Sequence, residues 1–134
     1  MIYLLIILQI FNFININNNN LEFEAIAYYD RMPSIPPRYG LRVIAIVSDI
    51  NNKPIPNYID LTKVFIVYKD SISELSFNHN DVRLAPNKIN KNAIFDSEYW
   101  PVNNYVNIMV EVYNSKTNKK YYIGDPCILI KEFY

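Results

Sequence analysis

The chain has 134 residues, of which 51% are hydrophobic and 15% aromatic, and it carries 13 basic and 13 acidic side chains. The hydrophobic content excludes a disordered chain, and the balanced charge argues against nucleic acid or an anionic membrane surface as a partner. This length allows one domain with one core, which we place at residues 21–134.

An apolar block without charged side chains covers residues 1–16 and leads into an all-asparagine tract at residues 17–20. As a helix, residues 2–14 would span about 20 Å of a hydrocarbon core about 30 Å thick, which is too short for a stable membrane span. The block matches the apolar part of an export signal. We predict that residues 1–20 are signal-like and that the protein is secreted, periplasmic or on the cell surface. An added first strand and a start codon placed too early stay open as alternatives.

The first predicted strands alternate with a period of two, which is the strand pattern. In residues 21–29 the apolar side chains share one side, and Glu22 and Glu24 share the other. Three prolines and a glycine in residues 30–40 predict an extended connector at a sheet edge. Residues 41–48 are apolar on both sides, including Ile44 and Ile46, which predicts a central strand buried on both faces.

The later predicted strands cover residues 63–69, 74–77, 82–84, 105–113, 119–123 and 127–134, and residues 93–95 are a candidate for a further short strand. Turn signals separate several of them, among them the polar loop at residues 114–118 and the Gly-Asp-Pro run at residues 124–126. About seven or eight short strands, with no convincing amphipathic helix, predict an all-β fold in the form of an antiparallel β-sandwich.

Two hairpins carry a resemblance to a known class of modules. Residues 43–57 form a strand, an aspartate, a polar turn and a Lys-Pro-Ile run, and residues 100–122 form a second hairpin. The first resembles the opening hairpin of immunoglobulin-like and transthyretin-like modules of secreted proteins, and the second is similar to their closing strands. Asn51-Asn52 and Asn103-Asn104 stand where those families often place a turn glycine. The resemblance implies an immunoglobulin-like fold and carries no catalytic residue.

Catalytic and metal-binding patterns are scarce. His79 is the only histidine and lies near Asp81, so a small hydrolase using His79 is one alternative, although a solvated loop histidine is favoured. The single Cys127 cannot form an internal disulfide, and a zinc site with His79 lacks two further ligands. We expect no metal and no cofactor.

Adjacent aromatic pairs are the remaining candidates for a site. Exposed rings can stack on sugars or anchor a protein interface, and Tyr99 with Trp100 is the pair we select for ligand binding. On a strand, one ring of such a pair can instead point inward.

The leading prediction is a non-enzymatic, exported or cell-envelope module for binding or structural assembly, with a protein or glycan partner. The alternatives are a carbohydrate-binding module using Tyr99 and Trp100, and the hydrolase using His79. Self-association is also open, because the apolar strand at residues 127–134 could pair with a neighbouring chain.

Overall fold

The computed structural model describes residues 20–33, 39–77, 83 and 85–134. Seven strands and no helix form in this part of the chain, which confirms the all-β prediction. The strands are β1 Leu21–Asp30, β2 Leu41–Asp49, β3 Ile59–Tyr68, β4 Ser71–Ser76, β5 Lys88–Phe95, β6 Tyr105–Asn114 and β7 Lys119–Phe133. No helix of the described residues is long and apolar enough to cross a membrane. The predictions for residues 1–19, for His79 with Asp81 and for most of the strand at residues 82–84 lie outside the described residues.

The seven strands form one strongly curled sheet in the order β4-β3-β6-β7-β1-β2-β5. Neighbouring strands are antiparallel except β1 and β7, which pair in parallel from Ala27 to Asp30. The sheet is therefore mixed, and the antiparallel prediction is wrong for this one pair. A strand with period-two alternation must cover its apolar side, and the curl does this by folding one half of the sheet over the other.

The core lies inside the curl and is made from every second residue of the strands. In β2 and β6 the inward residues are Leu41, Val43, Ala45, Val47, Val106, Ile108, Val110 and Val112, all of which are buried. The predicted alternation of residues 21–29, 41–48 and 105–113 is confirmed on this side of the sheet.

One buried charge links the two halves of the sheet. Lys91 of β5 is buried among the inward residues, and its Nζ atom lies 3.1 Å from each carboxylate oxygen of Asp60 in β3. The same ammonium donates to the carbonyl oxygen of Leu61 at 3.1 Å. Since β5 is the last strand of the sheet order and β3 is next to the other end, this contact holds the curled sheet closed.

The predicted turn at residues 124–126 is wrong, because β7 runs through it as one strand of 15 residues. The pairing with β6 shifts register between Val106 and Ile108, and Cys127 takes a positive φ of 58°. The Asp125 carboxylate accepts from the backbone N–H of Ala25 at 3.0 Å, and the Asn107 side chain accepts from that of Cys127. The Gly-Asp-Pro run is therefore a bulge, where β7 bends from β6 towards β1.

Asparagine takes the place of glycine in several turns. Asn52, Asn103 and Asn118 have φ values of 57°, 62° and 57°, in the left-handed region that asparagine tolerates better than most residues. Asparagine at these three positions thus adopts a conformation that most other residues would take only with strain. Gly40 has a φ of 90° and needs glycine, since a Cβ atom there would lie 2.8 Å from Ile94 Cγ2.

Candidate binding surface

A patch of isoleucines lies on the outer side of β1, β2 and β5, away from the core. Ile26, Ile44, Ile46 and Ile94 form this patch, which we call the isoleucine face. Ile26 pairs directly with Ile44, and Ile94 pairs with Arg42 of β2. The first three isoleucines are half-buried and Ile94 is 42% exposed. Apolar side chains clustered on the solvent side of a sheet often mark an interaction surface.

The two borders of the isoleucine face carry opposite charges. Glu22 and Glu24 are exposed on β1, whereas Lys88 is exposed on β5. Glu22 pairs with Ser48 of β2, and Ser48 in turn pairs with Lys88, so the three residues form one row across the sheet. At one end of the face, two acidic residues on β1 therefore lie across Ile46 and Ser48 from one basic residue, Lys88, on β5, whereas the other end carries Arg42 on β2 and Lys131 beside Tyr28.

The sequence pattern predicts the position of β2 correctly but predicts the wrong burial for its outer side. β2 is paired with β1 and with β5, as expected for a central strand. Ile44 and Ile46 were predicted to be buried, but they are half-buried on the outer side. β2 is apolar on both sides, whereas its neighbour β5 carries exposed polar residues such as Asn90 and Asn92. This combination in the sequence could have revealed the isoleucine face.

The predicted ligand pair Tyr99 and Trp100 is divided between surface and core. Trp100 is 1% exposed and packs edge to face against Phe95, with ring centroids 5.7 Å apart. The Tyr29 hydroxyl donates to the backbone carbonyl of Trp100 and accepts from the backbone N–H of the same residue, both at 2.9 Å. Burial raises the pKa of Tyr29. Tyr99 is 68% exposed and stacks on Tyr29 at 5.5 Å. Of the two predicted rings, therefore, only that of Tyr99 lies at the surface.

The outer side of β3, β6 and β7 is covered by its own side chains. Glu111 points to this side but is only 3% exposed, and it accepts from the hydroxyls of Thr62 at 2.7 Å and Tyr122 at 3.0 Å. The rings of Phe65 and Tyr122 meet edge to face at 6.0 Å and pack on the buried Met109. Both carboxylate oxygens of Glu111 have a hydroxyl donor, so Glu111 holds the surface together and does not offer a free carboxylate.

Tyr122 titrates at unusually high pH because of this environment. Burial, followed by the hydrogen bond to Glu111 and its negative charge, raises the pKa of Tyr122 from 10.0 to about 12. A tyrosine whose pKa is higher in the folded state contributes its full stability below the unfolded pKa and loses it as the pH rises through the folded pKa. The contribution of the protonated Tyr122 hydroxyl to stability is therefore lost as the pH rises from 10.0 to about 12.

Replacing Tyr122 by phenylalanine tests this linkage. Below pH 10, Tyr122→Phe is expected to lower the free energy of unfolding by about 1 kcal/mol, because a hydrogen bond to a buried carboxylate is removed. The difference from wild type should shrink as the pH rises towards 12. Urea unfolding at several pH values measures it, with the exposed Tyr105→Phe as control. A difference that stays constant with pH would contradict the linkage.

A shallow depression lies between the β2–β3 turn and Arg83. Pro54, Pro56 and Pro86 line it together with Arg83. The guanidinium of Arg83 donates to the carbonyl oxygens of Ile55, Pro56 and Ile59. These hydrogen bonds hold the β2–β3 turn in place, so the role of Arg83 in this depression is structural. The residues that the structure describes hold no group of three or more His, Cys, Asp or Glu placed for a metal ion.

Comparisons with protein-family models, with curated proteins and with solved structures found no match. The function is therefore inferred from the surface alone. Among the described residues, both outer sides of the curled sheet carry half-buried apolar side chains, and the isoleucine face differs in having the exposed Ile94 and no buried carboxylate network such as that of Glu111.

Proposed function

We propose that this chain is a non-enzymatic binding or assembly module, exported to the cell surface, the periplasm or the medium, that contacts a protein through the isoleucine face. The observation that carries the proposal is apolar surface on the outer side of a sheet whose inner side already contacts a core. The outer side of a curled sheet is convex, which suits another protein better than a small molecule, because small-molecule sites are concave. The apolar residues 1–16 support export.

The fold that we propose is a variant of the immunoglobulin-like β-sandwich. What supports it is the grouping of strands, since β1, β2 and β5 lie on one side of the core and β3, β6 and β7 on the other. Immunoglobulin domains divide their first, second and fifth strands from their third, sixth and seventh in the same way. The variation is that β7 also pairs with β1, which joins both groups, and that β4 pairs with β3.

Site-specific crosslinking in the cells that make the protein tests the proposed contact. A photoreactive residue at Ile44 is expected to form covalent adducts, and these should be found in the exported fraction. Ile50 is the control, because it is an isoleucine close to the same strand and is 47% accessible, but it lies in the turn after β2. Adducts at both positions equally, adducts at neither, or protein found only in the cytosol would contradict the proposal.

Carbohydrate binding through Tyr99 is the second candidate. The observation that favours it is the exposed Tyr99 ring, which is held flat by stacking on Tyr29 at an angle of 18°. Arg31 lies 4.8 Å from the same Tyr29 ring and adds a hydrogen-bond donor nearby. A glycan array with wild type and Tyr99→Ala decides it, and equal binding by both proteins would remove this candidate.

A further inference from the structure

We propose that the partner of the isoleucine face is a second copy of this chain, packed face to face about a two-fold axis that runs parallel to β2. The inference rests on the proposed function of this face as a contact surface, and it adds the identity of the partner. It is carried by the distribution of charge across three strands whose register is known.

The register divides the face into four rows across β1, β2 and β5. The rows are Glu22 with Ser48 and Lys88, Glu24 with Ile46 and Asn90, Ile26 with Ile44 and Asn92, and Tyr28 with Arg42 and Ile94. A half-turn about an axis parallel to β2 exchanges the positions of β1 and β5 and keeps every row at its own level. Each β2 then lies against the β2 of the second copy, and each β1 lies against β5 of the second copy.

This symmetry pairs the opposite charges at the two borders. Glu22 of each copy meets Lys88 of the other, so that one row supplies two ion pairs, and Glu24 meets the polar Asn90. A half-turn about an axis perpendicular to the strands would instead set Glu22 against Tyr28, which leaves the carboxylate on an aromatic ring. Charge complementarity therefore selects the axis parallel to β2.

The apolar centre is self-complementary about the same axis. Ile44 and Ile46 each meet the same residue of the second copy, and Tyr28 packs against Ile94. Two sheets stacked in this way lie about 10 Å apart, which leaves room for interdigitated isoleucines. The unfavourable contacts are those of Ile26 with the polar Asn92 and of the two copies of Arg42 with each other at the end of the face, so Arg42→Gln is expected to tighten the dimer.

The size of the face predicts a weak dimer. Three strands of about nine residues cover roughly 14 Å by 30 Å, or about 400 Å² for each copy. Stable complexes commonly bury about 800 Å² for each partner, so we expect a dissociation constant of about 10–100 μM.

Sedimentation equilibrium of the purified full chain, from about 1 μM to 1 mM, measures the association. Wild type is expected to dimerise in this range. Ile44→Lys is expected to raise the dissociation constant at least about tenfold, because it places two ammonium groups together on the axis. Ile50→Lys is the matched control and should leave the constant unchanged, and circular dichroism of each variant confirms that its strands form.

A charge exchange tests the axis itself. Glu22→Lys and Lys88→Glu are each expected to weaken the dimer about tenfold, since each variant replaces two ion pairs by two like-charged contacts. The double variant restores the pairs with reversed sign, so its dissociation constant should return to within about threefold of wild type. A double variant as weak as the single ones would overturn the proposed packing.

The two proposals fail in different ways. A chain that stays monomeric at 1 mM overturns self-association. If Ile44 then crosslinks in cells to a protein of another mass, the proposed binding function stands with a different partner. If neither association nor crosslinking at Ile44 is found, both proposals are overturned.

Discussion

Replacing Trp100 by alanine is expected to lower the free energy of unfolding by about 3–5 kcal/mol, because a buried indole is removed and a cavity is left in the core. Trp100 is 1% exposed, and its ring packs against Phe95. Small domains have total stabilities of about 5–15 kcal/mol, so the variant should be close to unfolding at room temperature. Urea denaturation followed by circular dichroism measures the change.

Two companion variants separate the role of Trp100 in packing from any role in binding. Tyr29→Phe is expected to cost about 2 kcal/mol, because the buried N–H and carbonyl of Trp100 lose their hydroxyl partner. Tyr99→Ala should cost less than about 1.5 kcal/mol, since only a surface ring contact is lost. A loss below about 1 kcal/mol for Trp100→Ala would contradict the core position of this ring. Sugar binding is therefore tested at Tyr99, because loss of binding in Trp100→Ala would report unfolding.

Removing the charge of Asp60 is expected to cost about 2 kcal/mol of unfolding free energy. Asp60→Asn keeps the shape of the side chain but takes the anion away from the ammonium of Lys91, which is buried. Breaking one member of a buried pair costs about 3–5 kcal/mol, and the half-exposed carboxylate reduces this figure. Lys91→Met should cost less than about 1 kcal/mol, because the apolar replacement fills a similar volume without a buried charge.

A double-mutant cycle provides the control for this pair. In the Lys91→Met background, Asp60→Asn is expected to cost less than about 0.5 kcal/mol, because the ammonium that pairs with the Asp60 carboxylate is absent. The measurement is again the free energy of unfolding in urea. If Lys91→Met alone costs more than Asp60→Asn alone, the interpretation of Asp60 as the charge partner of Lys91 is contradicted.

Two strands whose apolar alternation is unbroken in the sequence occupy almost the predicted residues in the structure. Residues 41–48 and 105–113 were predicted almost to their ends and form β2 and β6. β5 was reduced to residues 93–95, because Lys88, Asn90 and Asn92 occupy its outer side and read as a polar loop. Lys91 is a second reason why β5 was not predicted over its full length, because a charged residue at an inward position interrupts the apolar alternation. A buried lysine is explained only by its partner on another strand, which no local pattern contains.

The two residues of the predicted ligand pair lie in different environments. Tyr99 and Trp100 were selected because adjacent aromatic residues can be exposed, and the structure places one at the surface and one in the core. The isoleucine face was missed because Ile44 and Ile46 were assigned to a second buried side of β2. Sequence alternation shows that two sides of a strand exist, but it does not show whether anything covers them.

The amino-acid sequence by itself determined that the chain is all-β, where β1, β2 and β6 begin and end, and which side of these three strands faces the core. These properties are local, since they follow from period-two alternation and from turn residues. Only the tertiary structure decided that β7 bends at residues 124–127 to pair in parallel with β1, that Lys91 meets Asp60, and that the outer side of β2 is half-buried instead of fully buried. Those properties depend on residues far apart in sequence, and they are set by which surfaces the curled sheet brings together.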